Sequence, residues 1–259
     1  MTDINNYSGD TLLKPALELE SVGRSFGKLK AVSDITMVIR PGERRAILGP
    51  NGAGKTTLFN TILGDFPPTS GRILLFGEDI TKAPPHQRIR RGIGRTYQTS
   101  LLFDGLTVLD NVFMAVRGVM PGRMSFLRPR RNDPAMVRAL EMADQMRITH
   151  LLDRTVSEIS YGQRRQVEIG MALAPNPRLL MLDEPAAGLS PVERPELNKL
   201  LADLPRSLTL ILIEHDMDVA LRNSDFVTIM KDGEIVAQDV PDLITQNPIV
   251  REIYLGSAH

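Results

Sequence analysis

The stretch GPNGAGKTTLFN, residues 49 to 60, places three glycines in its first six positions and then turns basic, hydroxylic and apolar. It matches the pattern G-x-x-x-x-G-K-[ST] through Gly49, Gly54, Lys55 and Thr56. Because glycine has no Cβ, successive backbone N–H groups of such a loop can converge on one anion. The stretch lies between a strand-type run and a helix-type run, which is the context of a phosphate-binding loop.

The side chains that follow the last glycine suit a nucleotide. Lys55 supplies a charge for the β- and γ-phosphates, and the Thr56 hydroxyl suits Mg²⁺. The helix expected to begin near Gly54 adds unpaired N–H groups and the positive end of its dipole. A glycine-rich turn without a ligand is the competing interpretation, and the strand–loop–helix context argues against it. The expected binding residues of this phosphate loop are Gly49, Pro50, Asn51, Gly52, Ala53, Gly54, Lys55, Thr56 and Thr57.

A second stretch, LLMLDEP at residues 179 to 185, ends an apolar run with two adjacent carboxylates. Ligands of parallel sheets bind at the carboxyl ends of the strands. A phosphate loop needs an acid that holds the metal and a base that accepts a proton from the attacking water. We expect Asp183 to hold Mg²⁺, directly or through water, and Glu184 to be the base. A helix-capping acid would explain only one of the two carboxylates.

A third stretch, ISYGQRRQVEIGMAL at residues 159 to 173, predicts a helix start. Ser160 and Gln163 form S-x-x-Q, a capping box. A capped helix N-terminus beside Gly162 is also an anion site. These residues alone leave open which anion it would bind, because the phosphate loop already accounts for the nucleotide.

Strand-type and helix-type segments alternate along the chain, as in an α/β fold. Continuous apolar runs at residues 179–182 and Thr209–Ile213 fit a parallel sheet that is buried on both faces. Further strand-type segments are residues 16–20, 35–39 and 45–48, and an Asp-Gly hairpin that joins residues 226–230 to 235–237.

Between residues 99 and 160 the pattern becomes helical. Asp133-Pro134 predicts a helix start. Apolar side chains then recur at helical spacing, at Met136, Leu140, Ala143 and Met146. We interpret this segment as a helical insertion into an α/β core.

Composition excludes several classes of protein. The 259 residues are 42% hydrophobic and 24% charged, which is ordinary for a globular chain of one large or two small domains. Lys plus Arg equals Asp plus Glu at 31 each, so no basic field indicates a nucleic-acid partner. The absence of cysteine excludes disulfides and Cys-ligated metals. The first ten residues lack the apolar core of a signal peptide, and the apolar runs are too short to span a bilayer. We therefore expect any work at a membrane to go through another chain.

The order of the motifs resembles that of ATP-binding cassette (ABC) transporter ATPases, over nearly the whole chain from about residue 17 to residue 256. The motifs are the phosphate loop, Gln98 in RTYQ, ISYGQ at residues 159–163, the Asp183-Glu184 pair and His215 in IEHD. The resemblance implies an α/β fold with a P-loop NTPase core, a mostly parallel sheet with helices on both faces. It also implies N-terminal antiparallel β strands and an inserted helical subdomain.

The resemblance also assigns roles to residues, with ATP and Mg²⁺ as ligands. In that family two chains meet head to tail, so the signature residues of one chain, Ser160, Gly162 and Gln163, would act on ATP held by the partner. Gln98 would sense Mg²⁺ and the attacking water. His215 would contact the γ-phosphate and help orient the water.

Phe26, in RSFG, stands where the family carries an aromatic that stacks on adenine. Taken singly, Phe26, Gln98 and His215 are weak signals, since a lone Phe is commonly a core residue and a lone His after a strand is commonly a satisfied polar group.

The sequence departs from the family pattern at two places. The general signature is Leu-Ser-Gly-Gly-Gln, whereas Ile159 and Tyr161 stand at its first and third positions here. The stretch after the acids often ends in Asp in the family, whereas AAGLSP places Ser190 there. Ser190-Pro191-Val192-Glu193 predicts a helix start, with a cap, Pro at the first position and Glu three residues on.

Within the family, the sequence resembles the ATPases of high-affinity branched-chain amino acid importers, whose pattern is shared by importers of urea and other small amides or carboxylates. It rests on GPNGAGKTTLFN, PTSGRI, GIGRTYQ, SYGQRRQVEI, EHDM and IVREIYLG. The resemblance implies a second ABC ATPase chain, the same or related, two transmembrane permease subunits and a periplasmic solute-binding protein. It places the chain at the cytoplasmic face of the inner membrane.

Two alternatives stay open. The ATPase of lipopolysaccharide export shares the R-R-x-V-E-I helix and the Y-L-G end, but it favours the Gly-Gly signature, so Tyr161 argues against it. A soluble ABC protein of translation or DNA repair fits less well, because the first carries two cassettes in one chain and the second carries long coiled coils.

We expect three parts in the chain: a tail at 1–14, an ATP-binding domain at 15–240 with its helical subdomain inserted at about 99–165, and a C-terminal extension at 241–259. Residues 99–104 either contact the membrane subunit or anchor the insertion to the core. The segment 117–131 carries Arg117, Arg123, Arg128, Arg130 and Arg131. These side chains could contact anionic lipid heads, at about 1 kcal/mol for each basic residue near such a surface, but we prefer to interpret the segment as an exposed solvated loop.

Overall fold

The computed structural model describes residues 14–97, 101–120 and 133–255. Within these ranges the strands are β1 (Leu17–Phe26), β2 (Leu29–Ile39), β3 (Arg44–Leu48), β4 (Ser70–Leu75), β5 (Glu78–Asp79), β6 (Ile93–Arg95), β7 (Leu179–Asp183), β8 (Thr209–Ile213), β9 (Phe226–Lys231) and β10 (Glu234–Asp239). The α-helices are α1 (Lys55–Leu63), α2 (Pro85–Arg90), α3 (Val108–Val119), α4 (Pro134–Gln145), α5 (Tyr161–Leu173), α6 (Glu193–Asp203), α7 (Met217–Asn223), α8 (Pro241–Ile244) and α9 (Pro248–Leu255).

Two sheets organise the fold. The larger has the order β10-β9-β3-β8-β7-β6, and its pairs are parallel except for the hairpin between β9 and β10. The smaller sheet, β2-β1-β4-β5, is antiparallel. This confirms the predicted parallel core and N-terminal antiparallel strands. The sheets also contain β4, β5 and β6, which were not predicted from the sequence.

The central strands are buried on both faces, as their continuous apolar runs predict. Because successive side chains of a strand point to opposite faces, Leu179 and Met181 pack with α1 and the antiparallel sheet. Leu180 and Leu182 pack on the other face with helices α3 to α6. A third cluster joins β3 and β9 to α7, α8 and α9. Helices therefore cover both faces of the parallel sheet.

Helix α4 begins as predicted, but its buried face differs from the predicted one. The Asp133 side chain caps the helix by accepting from the Ala135 N–H at 2.8 Å, and Pro134 is the first helical residue. The predicted apolar series is wrong at Leu140, which is 41% exposed. The side chains that pack against the neighbouring helices are instead Ala135, Ala139, Met142, Ala143 and Met146. These positions recur every three or four residues and form one face of the helix, and the helical turn places Leu140 outside that face.

The segment before α3 divides its apolar residues between the core and the solvent. Leu102 packs against the cluster of α3 to α6, whereas Leu101 and Phe103 are 53% and 56% exposed. Residues 99 and 100, and most of the arginine-rich segment, lie outside the described residues. None of the helices in the described ranges is long and apolar enough to cross a membrane.

Candidate active site

The phosphate loop has the backbone that its glycines predict. Gly54 is the N-cap of α1 with φ 93°, in the left-handed region, and a Cβ there would lie 2.4 Å from the Ala31 carbonyl oxygen. At Gly49 a Cβ would lie 2.2 Å from the Met230 carbonyl oxygen. Larger residues at these two positions would push the loop away from β2 and β9. The glycines therefore let the loop lie close against the two strands.

Lys55 is buried at the start of α1, where its ammonium group folds back into the loop. Its Nζ donates to the carbonyl oxygens of Gly49 at 2.6 Å and Pro50 at 3.0 Å. Burial lowers the pKa of Lys55, and the nearby carboxylates of Glu184 and Asp183 oppose that shift. The charge is thus held inside the concave loop that would receive a phosphate.

A cavity of about 550 Å³ opens over the loop. It is lined by residues 51–57, by Lys30 and Ala31 from β2, by Glu184, and by Asp232 and Gly233 of the β9–β10 hairpin. The structure therefore brings the predicted base to the predicted phosphate site.

Asp183 has the features expected of a metal-holding acid. It is 3% exposed at the end of β7, and its Oδ1 has no hydrogen-bond partner within the described ranges. Burial, with a smaller contribution from Glu184, raises the pKa of Asp183 to about 6. A cation would satisfy the orphaned oxygen and favour its ionised form. The donor set of a carboxylate, the Thr56 hydroxyl and phosphate oxygens fits Mg²⁺.

Glu184 and His215 meet at the same sheet edge, because β7 and β8 are parallel and Asp183 pairs with Ile213. His215 Nδ1 lies 3.8 Å from Glu184 Oε1. The backbone of Glu184 has φ 46°, a conformation that is strained for a residue with a side chain. Its N–H donates to the Ile213 carbonyl at 2.8 Å, which holds that conformation in place. Such strain, held by the sheet, is typical of functional positions.

Two buried residues that the sequence reading missed support these acids. Arg165, on α5, donates from Nη2 to the carbonyl oxygens of Asp183 at 2.8 Å and Glu184 at 3.0 Å. Glu214 is fully buried, and its Oε1 accepts from the Ala186 N–H at 2.9 Å. Burial raises the pKa of Glu214. Both residues lie in motifs of the sequence: Arg165 is the second arginine of SYGQRR and Glu214 is the glutamate of IEHD. The sequence pattern does not show what either side chain contacts.

The signature helix begins with the predicted capping box. Gln163 N–H donates to Ser160 Oγ at 3.3 Å, and Ser160 N–H donates to Gln163 Oε1 at 2.9 Å. Ser160 is exposed and Gly162 is half-buried. Both line a different cavity from that of the phosphate loop, of about 280 Å³, between α5 and α6.

The helix start predicted with Ser190 as cap and Pro191 as first residue is wrong by two residues. Helix α6 begins at Glu193, and residues 191–192 form a turn. The capping contacts themselves are present: Ser190 N–H donates to Glu193 Oε2 at 3.0 Å, and Glu193 N–H donates to Ser190 Oγ at 3.4 Å. The Glu193 carboxylate also accepts from the signature residues, so it holds two segments at once.

The structure thus assembles the loop, Glu184 and His215 at one place and leaves Ser160, Gly162 and Gln163 at another. Gln98 lies outside the described residues. Phe26 is 41% exposed at the end of β1, with its ring edge-on to Phe66 at a centroid distance of 5.3 Å. It does not line the cavity over the loop, although Leu29, with which it pairs across the two strands, does. Its adenine-stacking role stays a prediction.

This chain is similar to known transporter ATP-binding proteins over most of its length. A family model described as ABC transporter matches residues 32–187. The chain is 36% identical over 253 residues to the high-affinity branched-chain amino acid transport ATP-binding protein BraF of Pseudomonas aeruginosa, covering 95% of this chain and 99% of BraF. It is 35% identical over 241 residues to the lipopolysaccharide export system ATP-binding protein LptB of Haemophilus influenzae, covering 93% and 97%.

Solved structures show the same architecture. The ADP conformation of MJ1267, an ATP-binding cassette of an ABC transporter, has a TM-score of 0.83 and 31% identity, covering 94% of this chain and 99% of MJ1267. A dimeric post-hydrolysis state of the cassette MJ0796 bound to ADP and Pi has a TM-score of 0.73 and 25% identity, covering 87% and 98%.

Proposed function

The chain belongs to the ABC transporter family of ATP-binding subunits, which hydrolyse ATP to power transport, and on that premise we propose that it drives an importer of a small polar solute. Branched-chain amino acids are the first candidate. ATP binding would close two cassettes head to tail, and hydrolysis would reopen them.

One observation carries the proposal that the site is shared between two chains. The cavity over the phosphate loop contains a buried lysine and a carboxylate base, while the anion-binding start of α5 lines a separate cavity. The signature residues do not line the cavity over the phosphate loop, and the loop does not line the cavity at the signature helix. A head-to-tail pair would place Ser160 and Gly162 of one chain against the γ-phosphate held by the other. The dimeric structure of the cassette MJ0796, bound to ADP and Pi, supports pairing of two chains by similarity.

Within such a site each residue has a task that follows from its position. Lys55 would hold the β- and γ-phosphates, and Thr56 with Asp183 would hold Mg²⁺. The bound metal supplies Lewis-acid charge that neutralises the phosphate oxygens. Glu184 would accept the proton of the water that attacks the γ-phosphate. His215, 3.8 Å from Glu184, would orient that water and contact the phosphate. Gln98 keeps its proposed role beside the metal and the water.

The rest of the assembly is proposed from the same relatives. A second ATPase chain and two transmembrane permease subunits would complete the transporter, with a periplasmic solute-binding protein acting indirectly. The chain would sit on the cytoplasmic face of the membrane and touch it only through the permease. Exposed Leu101 and Phe103 support a contact there, while Leu102 anchors the same segment to the core. We retain the division into the ATP-binding domain at 15–240, the insertion at 99–165 and the extension at 241–259.

The solute is supported by similarity to importer ATPases, and the comparable identity to LptB keeps an exporter as the second candidate. Tyr161 favours the importer, because it departs from the Gly-Gly signature expected of the exporter. We expect cells whose only copy carries Lys55→Ala to lose high-affinity uptake of labelled leucine, isoleucine or valine. The surface variant Lys82→Ala should keep wild-type uptake, since Lys82 is exposed. Normal amino-acid uptake together with failed lipopolysaccharide transport would assign the chain to the exporter.

A further inference from the structure

The carboxylate of Glu193 occupies the anion-binding start of the signature helix. Its Oε1 accepts from the Ser160 hydroxyl at 2.9 Å and from the Gly162 N–H at 3.0 Å. Its Oε2 accepts from the Ser190 N–H at 3.0 Å and from the Ser190 hydroxyl at 2.8 Å. One carboxylate therefore accepts hydrogen bonds from both groups that the shared site needs, and it links them to the segment that follows the catalytic acids.

The contact depends on the absence of a side chain at position 162. A Cβ on Gly162 would lie 2.6 Å from Glu193 Oε1, closer than a carboxylate oxygen tolerates. Tyr161, one of the departures from the family signature, packs over Gly188, where a Cβ would lie 3.1 Å from its ring. The turn formed by residues 160–162 thus receives an anion directly over the helix N-terminus.

The carboxylate is ionised in this position. Hydrogen bonds from Ser190, and then from Ser160 and Gly162, lower the pKa of Glu193 to about 2. At neutral pH the signature residues are thus bound to a full negative charge of their own chain.

We propose that Glu193 is an internal competitor of ATP: it holds the Ser160 hydroxyl and the Gly162 N–H in the open chain and has to release both before a partner's γ-phosphate can bind. The inference rests on the shared site proposed above. It makes closure of the dimer an exchange of one anion for another, so Glu193 sets how readily two chains close on ATP.

Glu193 and a partner's phosphate would compete for these two donors because each donor has a single hydrogen. The Ser160 hydroxyl has one hydrogen and the Gly162 amide has one, and both are donated to Glu193 Oε1. A phosphate oxygen accepts hydrogen bonds and cannot share these donors at full strength with the carboxylate. Two anions at one helix N-terminus would also repel each other. The Ser190 contacts show where the carboxylate can stay, because its second oxygen keeps two donors after the first is released.

The test is the dependence of ATPase activity on protein concentration, measured for the wild-type chain, Glu193→Ala and the matched control Glu196→Ala. Glu196 is an exposed carboxylate one turn further along α6, at the wall of the same cavity. We expect Glu193→Ala to reach half-maximal specific activity at a protein concentration roughly tenfold to a hundredfold lower, because closure of one dimer releases two Glu193 carboxylates and each gives up about one net hydrogen bond. Glu196→Ala should change that concentration less than about twofold, since it removes a screened surface charge only.

The variant Glu193→Gln is a control for the start of α6, because it keeps a hydrogen-bonding side chain there that the alanine variant removes. The amide oxygen accepts from one pair of donors, whereas its NH₂ group cannot accept from the other, so the concentration should fall between those of wild type and Glu193→Ala. Thermal unfolding without nucleotide identifies a variant that has lost its fold. A half-maximal concentration that stays at the wild-type value in both Glu193 variants would overturn the inference.

The proposed function and the inference fail separately. Ser160→Ala should abolish the concentration-dependent activity if the site is shared, whatever Glu193 does. Full activity of Ser160→Ala would reject the shared site itself. Loss of activity in Ser160→Ala with no gain in the Glu193 variants would reject only the competition by Glu193.

Discussion

Lys55→Ala should lose Mg-ATP binding almost completely while the chain stays folded. The ammonium group is the one charge that lies inside the loop, where it donates to the carbonyl oxygens of Gly49 and Pro50. Without it, the loop would offer the triphosphate no cationic side chain of its own. Charge-assisted hydrogen bonds are worth about 1.5–3 kcal/mol each, so we expect affinity to fall at least about a hundredfold.

The fold should persist because burial already disfavours the charge, as the lowered pKa of Lys55 indicates. The measurement is the rise in unfolding temperature on adding Mg-ATP, with Lys82→Ala as the matched lysine control. The control should show the full wild-type shift. A wild-type shift in Lys55→Ala would mean that the loop does not hold the nucleotide.

Glu184→Gln should separate binding from hydrolysis. The amide keeps the size and reach of the side chain but cannot accept the water's proton. Thr56, Asp183 and the loop remain, so Mg-ATP should still bind and the partner's signature helix should still close on the γ-phosphate. A positioned general base contributes about 10²–10⁴ in rate, so we expect residual activity that far below wild type.

Because ATP would persist between two chains, Glu184→Gln should accumulate as an ATP-bound dimer, which size-exclusion chromatography with ATP and Mg²⁺ would show. The exposed carboxylate variant Glu252→Gln should remain active and give no trapped dimer. Hydrolysis near the wild-type rate in Glu184→Gln would move the role of base to His215 or to water organised by Gln98.

The parts of the site that could be predicted from sequence are those whose residues are neighbours in the chain. Spacing along the chain is enough to predict the function of the loop glycines, Lys55 and the Asp183-Glu184 pair. A strand end and a helix start fix where these residues point. The apolar runs of β7 and β8 likewise predicted strands that are buried on both faces, and the structure confirms this.

The parts that could not be predicted depend on contacts between distant segments. Glu193 fits a helix start in the sequence, and its carboxylate also reaches Ser160, 33 residues earlier. Arg165 is an ordinary helical arginine until α5 packs against the end of β7. The buried face of α4 was misjudged at Leu140 because periodicity does not show whether large or small side chains meet the neighbouring helix.

Sharing of the ATP site between two chains is the central claim, and mixing two inactive variants tests it most directly. Lys55→Ala destroys the loop half of each site, and Ser160→Ala destroys the signature half. Mixed dimers contain one site with both changes and one intact site. If the two sites act independently, an equal mixture should regain about a quarter of wild-type ATPase activity, because half of the dimers carry one working site of two. A mixture no more active than the average of the two separate variants would contradict the shared site.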